Sequence, residues 1–354
     1  MRSYLRIAVI SAGLVFTGFS HFGVNPLVAQ TATPSPSVTP TPVDDDEVLK
    51  IDTELVSLLF LAQDKDRKLL TSLKKEDIRI LEDGQLQQIS SFQRQTDLPL
   101  SLAILIDVSV SQERTLPEEK AAAKTFLQDF VRPEKDEVCI ISFTGETTLE
   151  QGLTNNVSRL GRAIDRVQFT PPLGYIGGGV VVSGAPPTPG SNQAITSSTA
   201  IWDAVWVTSE EVLAESPNRT RRAIILVTDG LNSFGNKKLE DAVRAAQKAE
   251  AVIYSIGIGD NYLAKLDEES LKSISEQTGG HAFFPRDEDE LRRAFDQIQI
   301  EMRSQYLIAY EPSNPQIDGS YRKVEVQIAN SELSRQKVKI THRQGYFAKT
   351  ASKK

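Results

Sequence analysis

The sequence is poor in the residues that most often carry chemistry, with one cysteine and three histidines in 354 residues. A lone cysteine excludes an internal disulfide and any multi-cysteine metal centre, so zinc ribbons, redox CxxC motifs and iron–sulfur clusters fall away together. His21, His281 and His342 are too few and too scattered to favour histidine-based catalysis. Basic residues do not dominate either: 40 Lys and Arg face 47 Asp and Glu, a formal charge of −7 that offers no phosphate-neutralising face and argues against nucleic acid as a partner. Beyond the first thirty residues no apolar run reaches the roughly 18 residues of a membrane span, which excludes a polytopic membrane protein and any span in a processed chain. A GxxxxGK[ST] nucleotide loop is also missing.

What is present is an ordinary globular composition, 40% hydrophobic and 25% charged. The length suits about two domains, each with a real core. Residues 1–29 carry Arg2 and Arg6, an apolar stretch from Ile7 to Phe19, and Leu27-Val28-Ala29 before Gln30, the three regions of a secretory signal peptide. Cleavage is expected after Ala29, with an uncleaved anchor as the alternative; the product would be secreted, periplasmic or held at the cell surface. Residues 30–46 contain TATPSPSVTPTPVDDD, whose Pro, Ser and Thr alternation favours an extended, solvated spacer.

Between residues 47 and 98 the runs VLKIDTELVSLLFLAQD, DIRILEDG and QQISSF read as strands of a half-buried antiparallel sheet, with only Leu73 to Asp77 departing from strand text. Residues 99–304 alternate strand and helix. SLAILIDVS and RRAIILVTDG are nearly continuous apolar strands, as expected in a parallel sheet covered on both faces. LPEEKAAAKTFLQDFV sets Ala123, Phe126, Leu127 and Phe130 at helical spacing behind Pro117, and NNVSRLGRAIDRV, TAIWDAVWVTSEEVL, KLEDAVRAAQKAE, DEESLKSISEQTGG and EDELRRAFDQIQIEM read as further helices. The alternation implies right-handed crossovers and an α/β, doubly wound Rossmann-like sheet. Residues 305–347 return to strands (YLIAYEP, RKVEVQI, QKVKITHR, GYFA), and 348–354 form a tail. Each β segment is short for a sandwich of its own. The two are therefore expected to pair, making one discontinuous antiparallel β-sandwich-like domain with the α/β domain inserted in it.

In a doubly wound sheet ligands bind beyond the carboxyl ends of the strands, where strand order reverses. Asp107-Val108-Ser109-Val110-Ser111 places a carboxylate and two hydroxyls on one such loop, and RRAIILVTDG brings Asp229 to another. Two close carboxylates in a crevice either share a proton or hold a cation. With hydroxyl and carboxylate oxygens on offer, the cation would be a hard one, Mg²⁺ or Mn²⁺.

Asp107-x-Ser109-x-Ser111, the helix opening Ser198-Thr199-Ala200-Ile201-Trp202-Asp203-Ala204, and Thr228-Asp229-Gly230 together resemble the three loops of the metal-ion-dependent adhesion site of von Willebrand factor A-type domains. The resemblance implies a strand order of 3-2-1-4-5-6. It also implies metal coordination by Ser109 and Ser111 directly, by Thr199 directly or through water, and by Asp107 and Asp229 mostly through water and hydrogen bonds. A partner's Asp or Glu would complete the octahedron. A wider resemblance, to bacterial secreted VWFA-related proteins, rests on Leu55-Val56-Ser57, Glu82-Asp83-Gly84, Thr278-Gly279-Gly280-His281-Ala282-Phe283-Phe284, Gln305-Tyr306, Tyr310-Glu311-Pro312 and Gly345-Tyr346-Phe347. It implies architecture and export more than an activity. The stretch from Thr170 to Ser198 departs from the family, being longer than the usual tight Gly-Gly-Thr approach and carrying Ser197-Ser198 in place of the glycines. A loop of that length beside a metal would shape partner choice or be neutral.

Other candidates read as structural. Cys139 lies on a buried strand, Trp202 and Trp206 are four apart on one helix, and His281 follows Gly-Gly as a surface or cap residue. Asn218-Arg219-Thr220 is a glycosylation acceptor only in a eukaryotic secretory route. The leading expectation is a non-enzymatic protein-binding or adhesion module that grips a partner's carboxylate through a divalent cation. A metal-free structural module of the cell envelope and a metal-dependent hydrolase are the alternatives.

Overall fold

The structure, a computed structural model, describes residues 55–94, 97–169, 171, 175–177, 180–181, 198–217, 220–259 and 266–350. The expected signal peptide and spacer, Asn218-Arg219 and most of the Thr170 to Ser198 stretch lie outside these residues.

The central sheet is built from β5 (Leu100–Asp107), β6 (Glu137–Phe143), β7 (Thr147–Thr154), β10 (Arg221–Thr228), β11 (Ala251–Gly257) and β12 (Ala282–Phe283), in the order β12-β11-β10-β5-β6-β7. Counted within the domain this order is 3-2-1-4-5-6, with every pairing parallel except that of the edge strand β7. All eight residues of β5 are buried because helices cover both faces of the sheet. On one side α1 (Leu116–Phe130), α2 (Val157–Arg166) and α6 (Glu288–Arg303) pack Phe126, Leu127, Ile164, Phe295 and Ile298 against Leu102, Ile104 and Ile225. On the other, α3 (Ile201–Val207), α4 (Leu239–Lys248) and α5 (Glu268–Thr278) pack Ile201, Val205, Ala246 and Ile274 against Leu105, Ile141 and Leu226. Each such Leu, Ile, Val or Phe side chain, fully buried, contributes about 1.5–3 kcal/mol.

Local chemistry sets where the helices begin and end. Asn156, Asp267 and Asp287 accept from Arg159 N (3.0 Å), Ser270 N (3.1 Å) and Glu290 N (2.7 Å), capping α2, α5 and α6. The α5 helix stops at Gly279, whose φ of +91° is left-handed. Downstream of α3 the helix widens into a π turn over Thr208–Leu213, where Ser209 Oγ donates back to Val205 O at 2.8 Å.

The flanking strands form two four-stranded sheets, each mixing strands from before and after the α/β domain. One has the order β15-β1-β13-β4, from β1 (Val56–Gln63), β4 (Ile89–Arg94), β13 (Tyr306–Tyr310) and β15 (Lys339–His342). The other has the order β16-β14-β2-β3, from β2 (Ile78–Glu82), β3 (Gln85–Gln87), β14 (Tyr321–Ile328) and β16 (Gly345–Phe347). Leu58, Phe60, Ile80, Tyr306, Ile308, Tyr310 and Val324 fill the space between them. A buried acid sits in this core: Glu82 accepts from the hydroxyls of Tyr310 (2.8 Å) and Tyr346 (2.9 Å) and faces Arg322 at 3.4 Å.

Two short elements stand where the sequence offered only loop or strand. A five-residue helix, α7 (Ser331–Arg335), follows Asn330, which accepts from Glu332 N at 2.9 Å. A hairpin of β8 (Tyr175–Gly177) and β9 (Val180–Val181) lies within the long stretch before Ser198. His281 corrects the expectation of a surface or cap residue. Its Nδ1 lies 2.7 Å from Glu301 on α6 and its Nε2 3.2 Å from Thr341 on β15, so the ring bridges the α/β domain and the sandwich. Cys139 is buried in the core, where burial pushes its thiol up to about 12. Trp202 is core as well, but Trp206 is only half-buried and carries the Lys237 ammonium 3.9 Å above its ring.

Candidate metal centre

Three loops meet at the carboxyl ends of β5 and β10, on either side of the position where strand order reverses. The first follows β5. Asp107 is fully buried, and its Oδ1 accepts from Ser109 N at 2.9 Å, which turns the chain immediately and starts a single 3₁₀ turn over Val110–Gln112. That turn places Ser109 Oγ 3.1 Å from Ser111 Oγ. The second loop follows β10. Thr228 Oγ1 donates to Asp107 Oδ2 at 2.6 Å, locking the two strand ends together, and Asp229 Oδ1 accepts from Leu231 N at 2.9 Å. Gly230, at φ +84°, is required here, since a Cβ would press on Asp267 O at 2.9 Å.

The third loop brings Thr199. Its amide donates to Ser233 Oγ at 2.9 Å, and its carbonyl accepts from Ser233 N (2.9 Å) and Phe234 N (3.1 Å). Asn232 Oδ1 accepts from Trp202 N at 3.3 Å, and Asp203 holds Asn236 N and Lys237 N at 3.1 Å. A Cβ on Gly235 would collide with the Asp203 carboxylate, so this close approach needs glycine. Asp107, Ser109 and Ser111 are joined by hydrogen bonds, and the Ser111 hydroxyl draws the Asp229 carboxyl down. Thr199 reaches the cluster through the backbone of the Asp229 loop, and among the described residues its hydroxyl bonds to none of the other four. Ser233 and Asn232 escaped the sequence reading; the polar run directly after Thr228-Asp229-Gly230 was the available signal.

The electrostatics are one-sided. Burial, then the charge of Asp229, pushes the Asp107 carboxyl up to about 7, while hydrogen bonds from Thr228 and Ser109 pull weakly the other way. Burial raises Asp229 as well, and hydrogen bonding to Ser111 and to the Leu231 amide opposes it. Two buried acids and three hydroxyl residues are thus gathered, and among the described residues no basic side chain bonds to either acid. Among the described residues no three His, Cys, Asp or Glu side chains converge as a metal-ligating group, so any ion at these loops must draw on hydroxyl oxygens. Such a donor set fits a hard divalent cation.

Residues 191–297 match the family model of the von Willebrand factor type A domain. This part of the chain is similar to a von Willebrand factor type A domain. Among solved structures this chain is similar to proximal thread matrix protein 1 from mussel byssus with a zinc-occupied MIDAS motif, at 19% identity and a TM-score of 0.45, covering 61% of this chain and 48% of that one. It is also similar to the conserved hypothetical protein BatB from Bacteroides thetaiotaomicron, at 19% identity and a TM-score of 0.43, covering 57% and 98%. A third similarity is to a von Willebrand factor type A protein from Catenulispora acidiphila, at 11% identity and a TM-score of 0.46, covering 85% and 75%. The chain spans about half the length of the mussel protein. The comparison with curated proteins gives no match.

Exposed apolar side chains stand among the polar residues around the three loops. Leu231 and Phe234, on the Asp229 loop, are 37% and 40% exposed. The β8–β9 hairpin is tied to the first loop by the Tyr175 hydroxyl, which donates to Glu113, and it presents Ile176 at 70% exposure.

Proposed function

We propose that the von Willebrand factor type A-like domain is a non-enzymatic protein-binding or adhesion module. It holds one divalent cation, Mg²⁺ or Mn²⁺, through Ser109, Ser111, Thr199, Asp107 and Asp229, and it presents that ion to an Asp or Glu carboxylate of a partner protein. The observation that carries this reading is the buried Asp107 beside Asp229, with hydroxyls at hand and, among the described residues, no basic side chain bonded to either acid. A bound cation supplies the missing charge and an open coordination position. The exposed Leu231, Phe234 and Ile176 supply apolar contact around it, and affinity comes mostly from such surface, since one metal contact sets orientation more than strength.

The same reading treats residues 1–29 as an export signal, 30–46 as a spacer, 47–98 with 305–347 as a supporting β domain, and 99–304 as the presented module. Among the described residues no helix is long and apolar enough to cross a membrane. Among the described residues the three loops hold no candidate base other than the two aspartates, which disfavours a hydrolase. His281 is committed to Glu301 and Thr341, and His342 Nε2 accepts from Val326 N in the sandwich.

The test is a pull-down from the surface or secreted fraction of the source cells with wild type and Asp107→Ala, each with Mg²⁺ and with EDTA. A partner retained only by wild type with Mg²⁺ supports the reading. A partner retained equally in all four conditions refutes it.

A further inference from the structure

The start of α3 is capped by another loop rather than by its own residues. A helix ordinarily opens on a polar N-cap side chain, often with an acid three positions later that reaches back to the N-cap amide. In α3 the N-cap is Ala200, which carries no such acceptor. Asn232 supplies one from the Asp229 loop: its Oδ1 accepts from Trp202 N at 3.3 Å, while its Nδ2 donates to Phe234 O at 2.9 Å. Asp203, three positions after the N-cap, takes the amides of Asn236 and Lys237 in exchange, both at 3.1 Å. Thr199, just ahead of the helix, is held at both of its backbone groups. Its amide donates to Ser233 Oγ at 2.9 Å, and its carbonyl accepts from Ser233 N at 2.9 Å and Phe234 N at 3.1 Å. The next residue is tied to a different neighbour, Ala200 N donating to Thr144 O at 2.7 Å just beyond the end of β6.

Threonine is β-branched and stiff at χ1, so its hydroxyl goes where its backbone goes. Thr199 is 7% exposed, which leaves the side chain little room to swing. Fixing its amide and carbonyl against Ser233 therefore fixes where its hydroxyl stands relative to the Asp229 loop. Ions differ in how much such fixing matters. Mg²⁺ demands near-ideal octahedral geometry with oxygens at about 2.0–2.1 Å, whereas Ca²⁺ takes six to eight oxygens at about 2.3–2.6 Å in flexible arrangements. An oxygen held rigidly favours the smaller ion; the same oxygen on a loosened loop relaxes and suits the larger one.

We infer that Asn232 and Ser233 are positioning residues that determine specificity: by fixing Thr199 to the Asp229 loop they set the preference of the proposed cation site for Mg²⁺ or Mn²⁺ over Ca²⁺. The inference rests on the reading of the three loops as a cation site with Thr199 as one of its oxygens. Both residues act on the ion through Thr199 and not by contact. Ser233 is exposed and Asn232 half-buried, so replacing either leaves the core of the domain intact. Water takes the place of the lost acceptor on the Thr199 or Trp202 amide, which restores a hydrogen bond but not the register of the two loops.

The experiment is a titration of the full chain with Mn²⁺, the free ion being followed by electron paramagnetic resonance, with Ca²⁺ then added as competitor. Its readout is the ratio of the Ca²⁺ to the Mn²⁺ dissociation constant. A general loss of stability does not move that ratio, because both ions bind the folded protein. Wild type should prefer Mn²⁺. Ser233→Ala and Asn232→Ala should each lower the ratio about three- to tenfold, chiefly by weakening Mn²⁺ binding. Ser233→Thr keeps the hydroxyl and should restore the wild-type ratio. In a Thr199→Val background, where the hydroxyl is gone, Ser233→Ala should change the ratio less than about twofold. In wild type the amide resonances of Ser233 and Phe234 should shift on addition of Mg²⁺, a readout that needs no variant. Failure of wild type to bind Mn²⁺ would overturn the cation site itself, and this assignment with it. Mn²⁺ binding by wild type with an unchanged ratio in either alanine variant would leave the cation site standing and overturn the role given to Asn232 and Ser233. So would an equal effect of Ser233→Ala with and without the Thr199 hydroxyl, since its action would then run through some other group.

Discussion

Asp107→Asn should make the metal-free protein more stable at pH 8 while removing its ability to hold a cation. The wild-type carboxyl is raised from 3.8 to about 7, so the folded state binds its proton more tightly than the unfolded state does. Stability therefore falls as pH rises through this interval: the cost is absent below the unfolded value and fully developed above the folded one. The displacement corresponds to an upper bound of about 4 kcal/mol. Against this gain, the carboxylate accepts from Thr228 Oγ1 at 2.6 Å and from Ser109 N at 2.9 Å, and an asparagine oxygen keeps only one of those bonds. Losing the other costs about 1–2 kcal/mol. The net expectation at pH 8 is a gain of about 1–3 kcal/mol, or a few degrees in Tm. At pH 4.5, where the wild-type carboxyl is protonated in the fold, the variant should be neutral or less stable. Urea unfolding with EDTA at both pH values reads the gap between the two proteins. A gap that does not widen in favour of Asp107→Asn between pH 4.5 and pH 8 refutes the view of Asp107 as an uncompensated buried acid held for function.

Three further outcomes concern the frame that holds the site. Glu82→Ala strips the acceptor from Tyr310, Tyr346 and the 2%-exposed Arg322, and chemical denaturation should show a loss of about 3–5 kcal/mol; a loss under about 1 kcal/mol would mean the cluster is not a buried ion pair in solution. Gly280→Ala drives a Cβ into the Ile253 carbonyl on β11, and overpacking of about 1–3 kcal/mol should appear as a lowered Tm, whereas an unchanged Tm would place that backbone elsewhere. Cys139, buried with its thiol pushed up to about 12, should resist a disulfide reagent in the native protein and react stoichiometrically in denaturant; fast native labelling would contradict its place on β6.

The doubly wound sheet was legible because its signal is local and redundant. SLAILIDVS and RRAIILVTDG are apolar at every position, and the helices between carry caps and spacing that agree with them. Pairing of the outer β segments was legible from a size argument, and β1 with β13 and β2 with β14 realise it. The convergence of Asp107, Ser109, Ser111 and Asp229 was readable because strand-end position and side-chain chemistry coincide. What stayed hidden depends on long-range contact. Glu119 reads as one more acid in a helical first turn until the fold buries it, and His281 gains its two partners from residues 20 and 60 positions away. Ser233 escaped because its role is to hold Thr199 from a distance of 34 residues, which no short motif encodes.

The proposed site holds one divalent cation between the three loops, and crystals grown with Mn²⁺ and measured at the manganese absorption edge can locate it. A single anomalous peak is expected about 2.0–2.2 Å from the Ser109 and Ser111 hydroxyls, beside Asp107, Asp229 and Thr199, and absent from crystals of Asp107→Ala. A well-ordered Mn²⁺ bound elsewhere, or no peak at these loops at saturating Mn²⁺, would contradict it.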